Sequence, residues 1–274
     1  MSDKNSRTLS LLTLNTLGTP FFAPDITKRY KKIAELINEE NYDIVCLQEL
    51  FSYYHLLIFR KYLKNFPYVA FCPNPLGPRG GLVIFSKTKL TDTNFFTYSF
   101  PKEASVPFYA PISQPGMLIS KCRDYQINIA TTHLSSDIEH DLTPKNRLYA
   151  LIKNQLEECA NVVKRYAKNN DSFILAGDFN IAKESQLYKN FKSETSLEDI
   201  FISKNKPTYD PTRIKYFYKA KEGICDYVWL KTVTKQVAVA KTSYAFEDQY
   251  ILSNHKKSFL SDHIGLLCTL SVNE

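Results

Sequence analysis

The sequence lacks most of the features that mark a fibrous, membrane-spanning or exported protein. Only 8 of its 274 residues are Gly and 13 are Pro, which excludes collagen-like and low-complexity chains. No apolar run approaches the roughly 20 residues that span a bilayer. The polar start, residues 1–7, is followed by a run broken at Ser10 and Thr13, which does not match a signal peptide. None of the six cysteines forms a Cys-x-x-Cys pair, so we expect reduced thiols, most of them in the core.

The composition is that of a folded protein with an excess of positive charge. A hydrophobic share of 44% with 14% aromatic residues is too apolar for a disordered chain. The 35 Lys and Arg exceed the 28 Asp and Glu, which gives a net charge of +7 and suggests an anionic partner: nucleic acid, a lipid headgroup or another phosphate. We expect a single domain over residues 1–274, disordered at residues 1–7 and monomeric. Such a chain is expected to be soluble, and cytoplasmic or peripheral to a membrane rather than secreted.

Apolar runs between turn-like or charged segments predict nine strands, at residues 8–15, 43–49, 81–86, 116–121, 125–132, 172–177, 226–231, 236–240 and 264–272. A helical spacing of apolar residues predicts one helix after Asp25, with Asp25 as its N-cap. A second helix is predicted to start at Thr143, with Pro144 in its first turn. Strands alternating with a few helices indicate an α/β or α+β layered domain.

Polar residues interrupt the apolar runs at the points where the predicted strands end or begin. Four of these places follow a strand and two precede one; the residues are Asn15, Gln48-Glu49, His133, Asp178-Phe179-Asn180, Asp226 and Asp262-His263. In a mixed sheet, the end of one strand and the start of an antiparallel neighbour lie at the same edge. We therefore expect these side chains to converge on one rim, where binding and catalytic sites are commonly assembled.

The chemistry of this set is rich in oxygen. Asn15, Glu49, Asp178 and Asp262 offer hard oxygen ligands, which suit Mg²⁺, or Mn²⁺ as the alternative, better than zinc. His263 can take a proton from water if a carboxylate such as Asp226 orients its ring. Each motif also has a structural interpretation: a surface turn for Asp262-His263, a turn for residues 177–180, a core histidine for His133, a strand-end cap for Asp226 and a solvated acid for Glu49.

Taken in chain order, the motifs resemble the endonuclease/exonuclease/phosphatase superfamily, which has the deoxyribonuclease-I-like fold. The matching segments run from residue 15 to residue 263 and are Leu-Asn15-Thr-Leu-Gly18, Leu-Gln-Glu49, Thr-His133-Leu, Gly-Asp178-Phe-Asn180, Asp226-Tyr-Val-Trp and Ser261-Asp262-His263. The resemblance implies a four-layer αββα sandwich of two mixed β-sheets flanked by helices. It also implies a phosphoric diester hydrolase that depends on a divalent metal.

The resemblance assigns a role to each matching residue. Glu49 would be the principal Mg²⁺ ligand, with Asn15 and Asp262 close to the metal or the phosphate. His263 would activate water or contact the phosphate, and Asp226 would pair with it. Asp178 and Asn180 would position the nucleophile and stabilise the transition state, and His133 would contact a phosphate oxygen or the leaving group.

Within the superfamily the chain resembles the neutral sphingomyelinases most. The similar segments are residues 15–20 with the basic helix that follows, residues 79–87, Thr132-His133-Leu134 and the helix around Arg147. It departs from them at residues 114–116, where a Gly-Lys pair is common, and at residues 135–137, where a second histidine or acid is usual. The end of the chain, residues 261–268, is also similar to tyrosyl-DNA phosphodiesterases. Sphingomyelin or a related phospholipid is therefore the expected substrate, with DNA ends or an abasic site as the alternative and a catalytically inactive phosphate-binding module as a third hypothesis.

Two segments are candidates for the surface that selects the substrate. Residues 91–115 are rich in aromatic residues and proline; they either pack on their own domain or face a membrane interface or nucleobases. Residues 204–222 combine basic and aromatic side chains; they form either a solvated loop or a platform that faces the phosphate. Arg213, Lys215 and Tyr216 are the predicted substrate-binding residues there.

Overall fold

Two six-stranded β-sheets, with helices on their outer faces, make up the fold. The protein is described by a computed structural model that covers residues 6–19, 23–102, 104–106, 110–136, 143–166, 171–214, 221–232 and 237–273. Its helices are α1 (Ile26–Glu40), α2 (Tyr53–Tyr62), α3 (Ala110–Ser113), α4 (Tyr149–Tyr166) and α5 (Gln186–Thr195). None of the helices in these ranges is long and apolar enough to cross a membrane.

The strands, in chain order, are β1 (Ser6–Asn15), β2 (Ile44–Gln48), β3 (Tyr68–Ala70), β4 (Pro73–Asn74), β5 (Gly77–Pro78), β6 (Val83–Ser86), β7 (Leu90–Thr97), β8 (Gly116–Cys122), β9 (Ile127–His133), β10 (Ser172–Asp178), β11 (Glu198–Asp199), β12 (Asp226–Lys231), β13 (Val237–Ala245), β14 (Tyr250–Ile251), β15 (Lys257–Ser258) and β16 (Gly265–Asn273). The first sheet has the order β13-β16-β1-β2-β6-β3, and the second has the order β11-β12-β10-β9-β8-β7. β4 with β5 and β14 with β15 form two-stranded hairpins.

The two sheets and the helices on their outer faces form four layers, and an apolar core lies between each pair of neighbouring layers. Ile33 of α1 and Phe59 of α2 pack with Val45 of the first sheet. Leu151 of α4 and Phe191 of α5 lie in the core on the outer face of the second sheet. The third core lies between the sheets, where Leu11, Ile129 and Ile174 are fully buried. The predicted αββα sandwich of two mixed sheets is therefore confirmed.

The strand register brings the polar strand ends to one edge. In the first sheet β1 and β2 run parallel, and Asn15 lies opposite Gln48. In the second sheet Asp178 at the end of β10 lies opposite His133 of the parallel β9 and opposite Asp226 of the antiparallel β12. The predicted convergence of strand ends is confirmed, because three of the candidate residues occupy one register row across neighbouring strands.

The predicted strands are all present, with shifted ends. β1 begins at Ser6, and Ser6 and Arg7 pair with Asn273 and Val272. The rest of the stretch expected to be disordered, residues 1–5, lies outside the described residues. β6 begins at Val83 rather than residue 81, because a 3₁₀ turn at Arg79–Gly81 holds Gly80 at φ 64° and Gly81 at φ 67°. The left-handed conformation of these glycines is incompatible with a strand.

The predicted start of the first helix is confirmed, since α1 begins at Ile26 directly after Asp25, but the capping role of Asp25 and the start of the second helix need correction. Asp25 precedes α1, but at φ 49° its side chain caps no backbone N–H and instead accepts a bond from Lys28 Nζ at 2.6 Å. α4 begins at Tyr149, not in the turn after Thr143. The Asn146 backbone N–H donates to the Thr143 carbonyl at 2.9 Å, and Asn146 Oδ1 accepts from the Leu148 backbone N–H at 2.7 Å. The Asn146 side chain thus forms a turn that delays the helix.

The aromatic segment 91–115 is not one exposed loop. Its first part is β7, whose Phe95 packs on the core between the sheets and whose Phe96 packs on the outer core of the second sheet. Tyr98 is buried and bonds Thr132 Oγ1 at 2.8 Å. Among the described residues of this segment, the interpretation of aromatic packing within the domain is the correct one; Phe108 and Tyr109 lie outside the described residues.

Candidate active site

Asn15, at the end of β1, joins the two sheets through its side-chain amide. Its Nδ2 donates to Glu49 Oε1 at 3.0 Å and to Asp178 Oδ2 at 3.0 Å. Its Oδ1 accepts from the Leu17 backbone N–H at 3.0 Å. Asn15 therefore holds two carboxylates from different sheets side by side. The side-chain oxygen of Asn15 already accepts this backbone hydrogen bond, so a role of Asn15 as a metal ligand stays a prediction.

Glu49 follows β2 in a left-handed conformation, with φ 64°. Its Oε2 accepts from the Gly18 backbone N–H and the Thr19 hydroxyl, both at 2.9 Å. Burial acts to raise the pKa of Glu49, but the positive charge of His133 and the hydrogen bonds from Asn15 and Thr19 outweigh it and hold the pKa below its ordinary value. Glu49 is thus a fixed, ionised carboxylate at the edge of the first sheet.

Gly18 is required by the close approach of the chain to Glu49. A Cβ at this position would lie 1.9 Å from the Glu49 carbonyl oxygen and 1.9 Å from the Tyr30 hydroxyl. That hydroxyl donates to the same carbonyl at 2.8 Å. The Asn15–Gly18 segment and Glu49 are therefore packed backbone against backbone, which accounts for the glycine in the first motif.

Arg29, a buried residue of α1, binds the loops that carry the site. Its guanidinium donates to the carbonyls of Thr16 at 2.8 Å, Leu17 at 2.6 Å and Leu260 at 2.7 Å, and its Nε donates to Pro24 at 2.9 Å. One cation thereby joins the segment after Asn15 to the segment before Asp262. No sequence signal marks this role, because a single Arg in the basic segment 28–32 looks like part of a solvated helix face.

Replacing Arg29 with Lys is expected to lower the free energy of unfolding by about 2–4 kcal/mol, because a single ammonium cannot reach all four carbonyls and buried acceptors lose their donors. Urea unfolding followed by circular dichroism measures the loss. Lys28→Ala, which removes an exposed cation one residue away, is the control and is expected to cost about 0.5 kcal/mol or less. Equal stability of the two variants would contradict the proposed structural role of Arg29.

Asp178 lies at the centre of the cluster and is 1% exposed. Its Oδ2 lies 3.6 Å from His133 Nε2 and 3.7 Å from His263 Nε2. Its Oδ1 accepts from the Asn180 backbone N–H at 2.9 Å. Burial raises the pKa of Asp178, and the negative charge of Asp226 adds to this effect. The two histidines and Asn15 act in the opposite direction and favour the charged form.

Asn180 is turned back toward the strand that precedes it. At φ 49° it donates from Nδ2 to the Leu134 carbonyl at 2.9 Å, which fixes the turn after β10 against the end of β9. One of the two hydrogens of the Asn180 side-chain amide thus forms a hydrogen bond within the protein. The structure places Asn180 beside Asp178 and His133, as expected from the motif.

His263 and Asp226 form a buried pair. His263 Nδ1 lies 2.8 Å from Asp226 Oδ2, and His263 Nε2 faces Asp178 Oδ2 and, at 4.0 Å, Asp262 Oδ1. Burial acts to lower the pKa of His263, but the charges of Asp226 and Asp178 outweigh it and raise the pKa well above its ordinary value. The pairing expected between Asp226 and His263 is present. Interpreting Asp226 only as a cap at the start of a strand therefore does not account for its pairing with His263.

Ser261 and Asp262 attach this pair to the first sheet. The Ser261 hydroxyl donates to the Asn15 carbonyl at 2.7 Å and accepts from the His263 backbone N–H at 3.1 Å. Asp262 is buried, and its backbone carbonyl accepts from the Asp210 N–H at 2.9 Å. Asp262 thus lies beside His263 at the same edge as Asn15.

Two further residues contact the cluster and were not predicted. Tyr209 pairs with His263 in a β-bridge, with ring centroids 5.0 Å apart. Cys225 immediately precedes Asp226, and its Sγ lies 3.6 Å from Asp226 Oδ2. Its position directly before Asp226 is the sequence signal that could identify Cys225, whereas its own segment indicates an ordinary core thiol. All six cysteines are free.

Arg213 lies beside the cluster rather than within it. Its guanidinium donates to the backbone carbonyls of Ser261 at 3.1 Å, Glu247 at 3.1 Å and Phe246 at 2.6 Å, and stacks over Phe259 at 4.2 Å. These bonds hold the loop that carries Ser261. A contact between Arg213 and the substrate stays a prediction. Lys215 and Tyr216 lie outside the described residues.

A sequence model described as the Endonuclease/Exonuclease/phosphatase family matches residues 12–263. The chain is 24% identical to sphingomyelin phosphodiesterase 2 of Homo sapiens over 289 aligned residues, which cover 99% of this chain and 66% of that protein. It is also 24% identical to sphingomyelin phosphodiesterase 2 of Mus musculus, over 96% of this chain and 65% of that protein. The chain thus spans about two thirds of the length of these curated relatives.

Solved structures of similar fold come from both lipid and DNA enzymes. Sphingomyelinase C of Streptomyces griseocarneus matches with a TM-score of 0.71 at 16% identity, over 97% of this chain and 100% of that one. TDP2 of D. rerio, complexed with a single-strand DNA product, matches with a TM-score of 0.74 at 16% identity, over 96% of this chain and 98% of that one. At these identities the likeness concerns the fold alone.

Proposed function

The chain belongs to the endonuclease/exonuclease/phosphatase family, and from that premise we propose that it is a metal-dependent phosphodiesterase whose substrate is sphingomyelin or a related phospholipid. The buried arrangement in which Asn15 binds both Glu49 and Asp178, with the His263–Asp226 pair facing Asp178, carries the proposal of hydrolysis. The two sphingomyelin phosphodiesterases matched over nearly the whole chain support the substrate. As the chain spans about two thirds of those proteins, activity and substrate are both proposals.

The donor set fits a hard divalent cation. Glu49 is an ionised carboxylate with its orientation fixed by Gly18 and Thr19, and Asp262 is a second buried carboxylate at the same edge. Oxygen donors of this kind suit Mg²⁺, or Mn²⁺ as the alternative. When bound, such an ion would neutralise the charge that develops on the phosphate oxygens.

The remaining residues supply proton transfer and orientation. In its neutral form, with the proton on Nδ1, His263 is proposed to take a proton from water on Nε2, and the water oxygen then forms the new bond to phosphorus. The bond between phosphorus and the ceramide oxygen breaks, and His133 is proposed to give that oxygen a proton. Asp226 holds the His263 ring through Nδ1, while Asp178 and Asn180 orient the water and the phosphate. For sphingomyelin, the products are phosphocholine and ceramide.

A substrate panel tests this proposal. We expect release of phosphocholine from sphingomyelin vesicles that stops when EDTA removes divalent ions and returns when Mg²⁺ is added. The same protein is assayed on 5′-tyrosyl DNA, DNA with an abasic site and an inositol phosphate. Turnover of DNA, with an activity that falls steeply as salt increases, would replace the lipid proposal with the nuclease alternative. No turnover of any substrate would favour an inactive phosphate-binding module.

The site argues against that inactive module. Eight side chains with assigned chemistry are all present at one edge of the two sheets: Asn15, Glu49, His133, Asp178, Asn180, Asp226, Asp262 and His263. Loss of function should remove at least one of them. Peripheral contact with a membrane and a monomeric state stay predictions.

A further inference from the structure

One group beside the proposed catalytic residues has no role in the hydrolysis: the thiol of Cys225. Ligand atoms of Asp178, Cys225 and His263 all lie within 4.8 Å of one another, and all three residues are buried. Cys225 itself is 2% exposed. A carboxylate, a thiol and an imidazole around one point form a donor set typical of zinc and not of magnesium.

The ring of His263 is already oriented for a metal on its outer nitrogen. Nδ1 lies 2.8 Å from Asp226 Oδ2, so Nε2 is the nitrogen that faces Asp178, at 3.7 Å from Oδ2. A carboxylate that accepts from one ring nitrogen, while the other nitrogen binds the metal, is the usual outer support of zinc-binding histidines. Asp226 would act in this way without moving.

We propose that Asp178, Cys225 and His263 form a binding site for a thiophilic divalent ion such as Zn²⁺, with a fourth position open to water. Zn–ligand bonds of about 2.0–2.3 Å require ligand atoms roughly 3.3–3.8 Å apart. The pair of Asp178 and His263 already meets this spacing, and the Cys225 sulfur lies within 4.8 Å of both ligand atoms. The Cys225 S–H bond breaks as the Zn–S bond forms, and the proton passes to solvent.

A metal in this site would exclude the proposed reaction. It occupies the lone pair of His263 Nε2 that would take the proton from water, and it binds the carboxylate of Asp178. The site would therefore make the enzyme sensitive to inhibition by Zn²⁺ even when Mg²⁺ is present. This inhibition rests on the proposed function, whereas the binding of the ion does not.

Binding is tested with Co²⁺ as a spectroscopic probe on the full chain freed of metal. We expect one Co²⁺ to give a sulfur-to-cobalt charge-transfer band in the near ultraviolet, which is absent in Cys225→Ser. Cys72→Ser is the matched control, because Cys72 is the one cysteine that is not buried; its spectrum should equal that of the wild type. If Cys225→Ser fails to fold by circular dichroism, Cys225→Ala replaces it. A charge-transfer band of equal strength in a folded Cys225 variant, or no band in the wild type, would overturn the site.

Inhibition is tested in a second experiment at saturating Mg²⁺. Cys225→Ser should retain the activity of the wild type and raise the Zn²⁺ concentration for half inhibition by about tenfold or more. Inhibition that is unchanged in this variant would overturn the inhibitory role. A cobalt–thiolate band in a wild-type protein that turns over no substrate would support the metal site and contradict the proposed function alone.

Discussion

Replacing Glu49 with Gln is expected to lower kcat/KM for phosphodiester hydrolysis by about a thousandfold, the size of effect seen when one preorganised electrostatic group is removed. The substitution keeps the shape and removes the negative charge that is proposed to bind the divalent ion. It also places an NH₂ group where one carboxylate oxygen accepts a hydrogen bond, either from Asn15 or from Gly18 and Thr19. Two donors would then face each other, so a loss of about 1–3 kcal/mol in the free energy of unfolding is expected as well.

Two measurements separate these effects. Activity is measured across a Mg²⁺ titration at a temperature where urea unfolding shows the variant to be folded. Glu157→Gln serves as the control, because Glu157 is half exposed on α4 and forms its ion pair with Lys153, four residues earlier on the same helix. It should match the wild type in both activity and stability. A folded Glu49→Gln protein with wild-type turnover would remove Glu49 from the metal site.

The sequence predicted the edge of the sandwich that carries the site, and the reason is geometric. Polar residues that end an apolar run lie where the strand leaves the apolar core, and parallel pairing places such ends side by side. For this reason Asn15 ends β1, Glu49 follows β2, and His133 and Asp178 end β9 and β10. The distances between the two sheets could not be predicted, because they depend on how one sheet packs on the other.

The elements that were missed carry a weak periodic signal. In α2 only Leu56 and Phe59 are buried, so little of an apolar stripe is visible in its sequence. In β7 an irregularity between Thr91 and Asn94 breaks the alternation that marks a strand. Its partly buried aromatic residues therefore looked like part of a loop.

Arg29 and Cys225 were not predicted for another reason. Arg29 supports the site through contacts that join segments far apart in the chain, such as its bond to the Leu260 carbonyl, and Cys225 lies beside the proposed catalytic residues without a role in the hydrolysis. Neither residue belongs to a motif, and each has an ordinary structural interpretation in its own segment. The roles of the predicted catalytic and metal-binding residues, and the single domain, remain predictions until variants are measured.

Replacing Asp226 with Asn is expected to lower kcat/KM by about a hundredfold to ten-thousandfold. The amide no longer stabilises a positive charge on His263 as the ring takes a proton from water. It can also favour the tautomer that carries its proton on Nε2 and therefore cannot act as a base. His263→Ala should cause a similar loss, and the double variant should lose little more, because the two residues act as a unit. Additive losses in the double variant would show that they act independently.

The same pair predicts the pH dependence of stability in the metal-free protein. The pKa of His263 is raised in the folded state, despite the opposing effect of burial, by the charges of Asp226 and Asp178. The folded protein therefore binds a proton that the unfolded chain releases above its ordinary pKa of about 6.5. This contribution to stability is fully present below that pH and is lost as the pH rises through the folded pKa. Urea unfolding in EDTA between about pH 6 and pH 9 should show a decline in the wild type that is smaller in Asp226→Asn. Identical declines in the two proteins would mean that Asp226 does not hold the proton on His263.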